Sequence, residues 1–439
     1  MVEVENKIQR YEKYKDSGVE WLGDIPEHWE VLPLFALTKI KSITNNNGLE
    51  LLSVYLDRGV IRFSDVTEKR TNVTSLDLSK YQLVEAGDFV LNNQQAWRGS
   101  VGVSNYTGIV SPAYIVLSLS NNLNPIFANY LFRDGSMVSQ YLINSKGVGT
   151  IQRNLYWPSL RRSNISLPPL SEQTKIAQFL DDKTTKIDEA ITIKEQQISL
   201  LKERKQILIH KAVTRGLDDS VTLKDSGVEW IGKIPAHWEV KKLKYVLKTQ
   251  GRIGFKGYTT SDLVDKDKGA LTLGASHLDW EGNIILKKPV YISWKKYYES
   301  PEIMVSKGDV IIVQRGSTCG KVALIDNDYG PTTINPSLVL LKEIIGHPQY
   351  MFLGIKVVLN GILNLVSKTA IPMLSQFQID NIEIPFPNKK EQKEISAYID
   401  IASQKIETAI GLKEQEIEML KEYKSSLINS VVTGKVRVC

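Results

Sequence analysis

The sequence predicts an α+β fold: two mixed α/β domains separated by two long antiparallel coiled-coil helices, the whole built as a pseudo-two-fold internal repeat. Three observations carry this. The stretches "DSGVEWLGDIPEHWEV" from Asp16 and "DSGVEWIGKIPAHWEV" from Asp225 agree at 13 of 16 positions. A second pair, "IAQFLDDKTTKIDEAITIKEQQISLLKERKQILIHKAVTRG" from Ile176 and "ISAYIDIASQKIETAIGLKEQEIEMLKEYKSSLINSVVTGK" from Ile395, aligns throughout. Inside both long segments, apolar residues recur with a mean step of about 3.5 residues, the period of a coiled coil. A chain of 439 residues is too long for one ordinary core, so a duplicated multidomain protein is expected.

The offset between the Trp-rich loops is 209 residues and that between the helices is 219, so ten extra residues fall between loop and helix in the second half. Copies this long are duplicated domains, since solenoid repeats run about 20–50 residues. The division is residues 1–32 (N-terminal segment and first Trp-rich loop), 33–165 (first variable domain), 166–215 (first helix), 216–241 (linker and second loop), 242–382 (second variable domain) and 383–439 (second helix).

Each Trp-rich loop reads as structure. Asp16-Ser17-Gly18 and Asp225-Ser226-Gly227 are turn formers, and Pro26 and Pro235 stiffen the next bend. Trp21, Trp29, Trp230 and Trp238 are large framework anchors, suited to pinning each variable domain to a helix end. His28 and His237 lack neighbours at ligand spacing and are expected to be structural.

In the variable domains, "SKYQLVEAGDFVL" from Ser79 echoes "KKYYESPEIMVSKGDVII" from Lys295, each with a Gly-Asp turn before an apolar strand. "NNQQAWRGSVGVSNYTGIVSPAYIVLS" from Asn92 loosely matches "VQRGSTCGKVALIDNDYGPTTINPSLVLL" from Val313. Short Val/Ile runs punctuated by Gly, Asn and Pro are strand-and-turn chemistry. A helix follows in each, opened by Pro125 or Pro348. The most apolar stretch, "YMFLGIKVVLNGILNLV" from Tyr350, is interrupted by Lys356 and Asn360 and is expected to be a buried helix, not a membrane span.

The helical seam runs Leu180, Ile187, Ile191, Lys194, Ile198, Leu201 in the first copy and Ile399, Ile406, Ile410, Lys413, Ile417, Leu420 in the second. Lysines interrupt it at matched places, Lys194/Lys413 and Lys205/Lys424, which fixes register at some loss of stability. Each helix is expected to run about 40 residues, or about 60 Å. The other copy is the obvious partner, and a two-fold relation makes the pair antiparallel.

Charge is unevenly shared. Residues 33–165 hold 13 Lys/Arg against 8 Asp/Glu, and residues 242–382 hold 17 against 12, so each domain is +5 and the remainder is −4 within a net +6. Two basic lobes suit a regular polyanion, and double-stranded DNA fits best. Their loops "NNQQAWRG" and "QRGSTCGK" mix amides and arginine among glycines. Asn and Gln can pair bidentately with adenine, and Arg with guanine. Candidate contacts are Gln94, Gln95, Arg98, Gln152 and Arg153 in the first lobe, and Arg252, Lys256, Gln314, Arg315, Lys321 and Lys368 in the second.

Catalytic signatures are missing. "GSTCGKV" at Gly316 lacks the spacing and Ser/Thr of a phosphate-binding loop, and "INPSL" at Ile334 lacks the second proline and aromatic of an amino-methyltransferase motif. Two cysteines make neither a disulfide framework nor a metal cluster, and the N-terminus has no apolar signal region, so a cytoplasmic protein is expected. Neither a catalytic residue nor a metal or cofactor site is assigned to this chain.

Over nearly its whole length the chain resembles the specificity (S) subunits of type I DNA restriction–modification systems. The resemblance rests on "DSGVEWIGKIPAHWEV", on "ISLPPLSEQTKIAQFLD" and on its counterpart "IEIPFPNKKEQKEISAYID", which keeps the pair Glu391-Gln392. It implies two target-recognition domains reading two halves of a split, asymmetric site, with no catalysis by this chain. The implied partners are two adenine-N6 methyltransferase (M) subunits and restriction (R) translocase subunits, which would use S-adenosylmethionine, ATP and Mg2+. A coiled-coil scaffold for protein partners, or an inactive or phase-variable specificity subunit, are the competing readings.

Overall fold

The structure, a computed structural model, describes residues 9–66, 77–148, 152–251, 258–365 and 373–438. It divides into two compact units, one made of residues through Glu195 together with those from Lys413 onward, the other of Gln196–Leu412. The two copies of the repeat are thus interleaved: each unit takes one lobe and a portion of both long helices.

In the first unit the Asp16 carboxylate accepts from Gly18 N at 2.9 Å, and Gly18 has φ +68°. This turn opens a hairpin pairing Tyr14–Asp16 with Asp24–Pro26. Strand Glu30–Pro33 pairs with Asn164–Leu167 and so brings the two ends of the lobe together. The lobe's main sheet is antiparallel, in the order Thr38–Lys41, Tyr114–Leu119, Phe89–Asn92, Val101–Val103. Helix Pro125–Arg133 begins on its proline, with Asn124 Oδ1 accepting from Ile126 N and Phe127 N. Phe89, Leu91, Phe127, Phe132 and Tyr141 fill the core together with Trp29, Leu180 and Val431. Burying each such apolar side chain contributes about 1.5–3 kcal/mol.

The second unit repeats the plan. Hairpin Leu223–Asp225/Lys233–Pro235 and the pair Glu239–Lys242/Glu383–Phe386 take the same places, and the sheet runs Lys248–Gly251, Leu338–Lys342, Val310–Val313, Val322–Leu324. The Gly-Asp turns are also equivalent. Asp88 Oδ2 accepts from Glu85 N at 2.7 Å, and Asp309 Oδ2 from Ser306 N at 2.8 Å, after glycines at φ +97° and +95°. The lobes diverge in what they add. The second carries a further four-stranded sheet ordered Leu263–Val264, Val290–Ser293, Gly269–Leu273, Thr332–Ile334, its last pairing parallel. Among the described residues the first has, at the corresponding stage of the chain, the pairs Leu52–Tyr55/Gly59–Arg62 and Gln82–Val84/Gly108–Val110 and a bridge between Leu51 and Ile109. Helix Pro348–Leu365 buries Tyr350, Met351, Ile355, Val358 and Leu359 within the lobe, as its amphipathic pattern predicts.

The long helices are Leu170–Arg215, of 46 residues, and Lys389–Val432, of 44. In the first unit Lys424 Nζ sits 2.6 Å from Asp188 and Lys194 Nζ 2.6 Å from Glu416. Advancing along one helix means retreating along the other, so the segments are antiparallel. The second unit has Lys205 Nζ at 2.6 Å from Glu407, with Ile209, Ala212 and Val213 clustered with Ile395 and Ile399, which gives the same sense. Burial along the helices follows a 3.5-residue step. Leu180, Ile187, Ile198, Ile399, Ile406 and Ile417 are buried, and Ile191, Leu201, Ile410, Leu420 and the lysines Lys194 and Lys413 are half-buried. Lys194, Lys205 and Lys424 each reach a carboxylate on the other helix, which limits the loss of stability expected from them.

Candidate nucleic-acid interface

The framework junctions hold the lobes to the helices. In the first unit Glu172, in the first turn of its helix, accepts from Trp29 Nε1 at 3.2 Å and from the Tyr11 hydroxyl at 2.5 Å, and lies 2.8 Å from His28 Nε2. In the second unit Glu391 accepts from Trp238 Nε1 at 3.2 Å, lies 2.8 Å from His237 Nε2, and takes its third bond from Asn388 Nδ2 at 2.7 Å. Trp29 and Trp238 are buried, whereas Trp21 and Trp230 pack half-buried against the same cores. Each histidine thus joins the tryptophan on the same carboxylate.

Each buried indole also abuts the far end of the other long helix. A Cβ on Gly434 (φ +76°) would stand 3.1 Å from Trp29 Cζ3, and one on Gly216 (φ +76°) 3.2 Å from Trp238 Cζ2. One tryptophan per unit thus fixes the start of one helix against the end of the other.

The neighbouring glutamines act likewise. Buried Gln173 donates to Pro168 O at 2.9 Å and Asn122 O at 3.0 Å while accepting from Asn124 N at 2.8 Å. Buried Gln392 donates to Pro387 O and accepts from His347 N, both at 2.8 Å. The Glu-Gln pair quoted from the sequence is a latch between long helix and lobe, a role its pattern alone did not disclose.

The loops that the sequence nominates occupy equivalent places. Residues 93–100 and 314–321 connect matching strands, each closed by a glycine in the left-handed region, Gly99 (φ +100°) and Gly320 (φ +93°). Against each lies a further backbone: Leu155 N donates to Asn93 O at 3.0 Å, and Leu374 N to Gln314 O at 2.9 Å. In the first lobe that backbone belongs to a two-stranded finger pairing Ser145–Val148 with Gln152–Leu155.

Gln94, Gln95, Arg98 and Arg153 are brought together here, Gln94 and Arg98 exposed, Gln95 and Arg153 half-exposed. Their hub is Trp97, which the sequence reasoning passed over although it lies within "NNQQAWRG". The Arg98 guanidinium carbon is 4.6 Å from the Trp97 ring centre and that of Arg153 is 5.6 Å from it. The signal available was a tryptophan beside an arginine in a glycine-closed loop. Lys146 stacks similarly on Tyr156, at 3.9 Å. Gln152 lies in the finger strand, with its side chain outside the described residues.

The second lobe corrects two expectations. Gln314 is buried, donating to Pro336 O at 3.0 Å, so its amide is spent inside the fold and offers no edge to a base. Lys321 is half-buried, donates to Leu278 O at 2.6 Å and lies 5.6 Å from the Trp280 ring, which ties its ammonium down. Arg315 is exposed, its backbone bridging to Met373. Arg252, Lys256 and Lys368 lie outside the described residues.

Among the described residues no group of His, Cys, Asp and Glu is arranged to hold a metal ion, and no helix is long and apolar enough to cross a membrane. Cys319 is a buried free thiol whose pKa burial pushes up. A polar cleft of about 540 Å³ in the first unit is lined by Tyr130, Arg133, Asp181 and Lys424. Burial, with Asp181 accepting from it at 2.7 Å, pushes the Tyr130 hydroxyl up to about 12 and keeps it protonated.

Comparison with known proteins agrees with this anatomy. The family model "Type I restriction modification DNA specificity domain" matches twice, at residues 26–203 and 235–419. The MjaVIII type I restriction enzyme specificity subunit of Methanocaldococcus jannaschii is 25% identical over 94% of this chain and 94% of its own length. The putative MjaX specificity subunit of the same organism is 24% identical over 98% and 99%. In fold, the chain is similar to one from a structure of the assembly and conformational transition of the type I R-M system (TM-score 0.67, 16% identity, covering 93% and 98%). It is also similar to the HsdS subunit of Thermoanaerobacter tengcongensis (TM-score 0.55, 16% identity, covering 94% and 98%). With two matched domains, each carrying its own tryptophan–glutamate junction and its own loop set, the chain belongs to the family of type I restriction–modification DNA specificity domains.

Proposed function

We propose that each lobe reads one half of a split DNA site, that the half-sites differ, and that the long helices set the unread spacer between them. As a type I specificity subunit the chain recognises DNA sequence. In this reading it performs no chemistry itself. Two methyltransferase subunits carrying S-adenosylmethionine dock on the two like framework junctions and methylate adenine N6. Restriction subunits using ATP and Mg2+ complete a cytoplasmic complex.

One observation supports the division of labour above others: equivalent loops on an equivalent frame carry different side chains. Residues 97 and 98 are Trp and Arg in the first lobe, while their structural counterparts, 318 and 319, are Thr and a buried Cys. A like framework with divergent heads is what two like partners and two unlike half-sites require. Phosphate contacts would position each lobe and a few base contacts would specify the sequence. A flipped adenine would react in the partner's pocket.

The test is a methylation map. Co-expression with the cognate methyltransferase subunit in a methylation-free host should produce N6-methyladenine in a split, asymmetric motif with a constant spacer. Exchanging residues 33–165 for another lobe should change one half only. Association of the subunits without new methylation would mark an inactive copy. A scaffold for protein partners alone would show no steep salt dependence of duplex binding, whereas a DNA reader loses affinity by a slope of about −0.9 per phosphate contacted.

A further inference from the structure

We propose that Trp97, with the two guanidinium groups stacked on it, is the base-reading group of the first lobe, and that Arg98 and Arg153 direct it to guanine. The inference rests on the functional reading above and assigns it to atoms.

The ring is held in place. Trp97 Nε1 donates to Gln94 O at 3.0 Å, within a short turn at Ala96–Arg98 that Gly99 closes. Arg98 comes from the same turn, and Arg153 from the finger strand Gln152–Leu155, anchored by the Leu155 N to Asn93 O bond. Two separate elements thus deliver one cation each to a single indole.

The cations are available. Elsewhere in this lobe Lys41 is neutralised by Glu85 and Asp88, and Arg62 lies 3.5 Å from Glu50. Among the described residues Arg98 and Arg153 meet no carboxylate within 4.0 Å. Contact with an aromatic ring satisfies a guanidinium through its face and leaves its N–H donors free at the edge. It also restricts the side-chain rotamers, so less freedom is lost when those donors engage a base. Arginine donors at fixed orientation match O6 and N7 of guanine, and a two-stranded ribbon has the width that the major groove admits. Gln94, exposed beside them, adds an amide suited to a neighbouring adenine.

The second lobe has the same loop frame but Thr318 and buried Cys319 at these two positions. The tryptophan-centred pair of guanidinium groups therefore belongs to the first lobe, and exposed Arg315 is the second lobe's own candidate.

The experiment uses the complex of the full chain with its methyltransferase subunit, selecting duplexes from a randomised library and mapping methylation in cells. A lobe exchange first identifies which half-site residues 33–165 read. R98K and R153K keep the charge and remove the planar fork. Each should cost roughly 5- to 150-fold in discrimination at one G·C pair of that half, the range of a bidentate contact, with the other half and the salt slope unchanged. W97A should weaken both guanine preferences together, and R98K serves as the check if W97A perturbs folding. An unchanged motif in R98K, R153K and W97A would overturn the assignment, as would loss confined to the other half or a first half-site indifferent to its G·C pairs. A wild-type complex that selects no split motif would instead bring down the functional reading, and the assignment with it.

Discussion

Removing the Glu172 carboxylate, in E172A, should open the first framework junction. Trp29 is fully buried, so its indole N–H cannot turn to bulk water when its acceptor is lost. An unsatisfied buried donor costs about 1–3 kcal/mol, and loss of the Tyr11 bond to Glu172 adds about 0.5–1.5 kcal/mol. The half-exposed His28 adds under about 1 kcal/mol. Together these losses come to about 3 kcal/mol. E172Q can keep its oxygen at the position that serves both Trp29 and Tyr11, turning an NH2 group only toward half-exposed His28, and should cost under about 1 kcal/mol. Because the chain has two compact units, a single unfolding midpoint would average over both. Hydrogen–deuterium exchange of the full chain reports the junction alone. About 3 kcal/mol of local destabilisation corresponds to amide exchange about 150-fold faster over residues 24–33. Exchange in E172A within threefold of wild type, with unchanged tryptophan emission, would refute the latch.

Three further outcomes are expected. Burial raises the Glu391 pKa, but the bonds from His237 and Trp238 and the His237 charge outweigh it, so the carboxyl titrates below the ordinary glutamate range. A folded pKa depressed in this way contributes stability that is complete above the unfolded value, about 4.3, and is lost as pH falls through the folded one. Exchange protection of residues 233–242 should therefore decline below about pH 4 in wild type, with a shallower pH slope in E391Q. Replacing Gly434 by Ala places a Cβ 2.5 Å from Pro26 Cδ at a φ of +76°, and should cost about 1–2 kcal/mol from the backbone alone, read by exchange near Trp29. Ile187→Asp buries a charge in the seam of the first unit and should cost about 3 kcal/mol or more, measured as protease sensitivity of residues 176–195; equal loss in the second unit would contradict the division into units.

What could be read from the sequence was whatever depends on repetition and period. The seam needs only a 3.5-residue step, so Leu180 to Leu420 could be placed without coordinates. The Trp-rich loop could be read as an anchor because an indole that size must be buried somewhere. The acceptor could not be read, since Glu172 and Glu391 lie 144 and 154 residues from the histidines they meet. Gln314 fails for a related reason. An amide beside an arginine and glycines has the composition of a reading loop, but Gln314 is buried, its carbonyl bonded by Leu374 N and its amide spent on Pro336 O. Lys321 is likewise claimed by Leu278 O, a partner that only the second lobe's longer excursion supplies.

The repeat is preserved most strictly where a contact must serve both copies. Lys424 with Asp188 and Lys205 with Glu407 are one contact made twice: shifting each residue by the 219-residue helix offset converts either pair into the other. Lys194 with Glu416 has no such image, because the residue 219 before Glu416 is Gln197. The cage around each buried tryptophan shows the same tolerance. Its carboxylate, indole and imidazole are retained at matching distances, while the third donor is Tyr11 in one unit and Asn388 in the other. Tyr11 comes from a segment whose neighbour Gln9 pairs with Arg437, whereas Asn388 comes from the helix start itself. What has been held constant is the satisfied carboxylate, not the residue that satisfies it. Loops 93–100 and 314–321 bear no such obligation: their frame is fixed by backbone bonds, leaving the side chains free to differ. A junction kept alike by side-chain chemistry, beside loops kept alike only in backbone, is the arrangement that the proposed division into docking frame and reading loops requires.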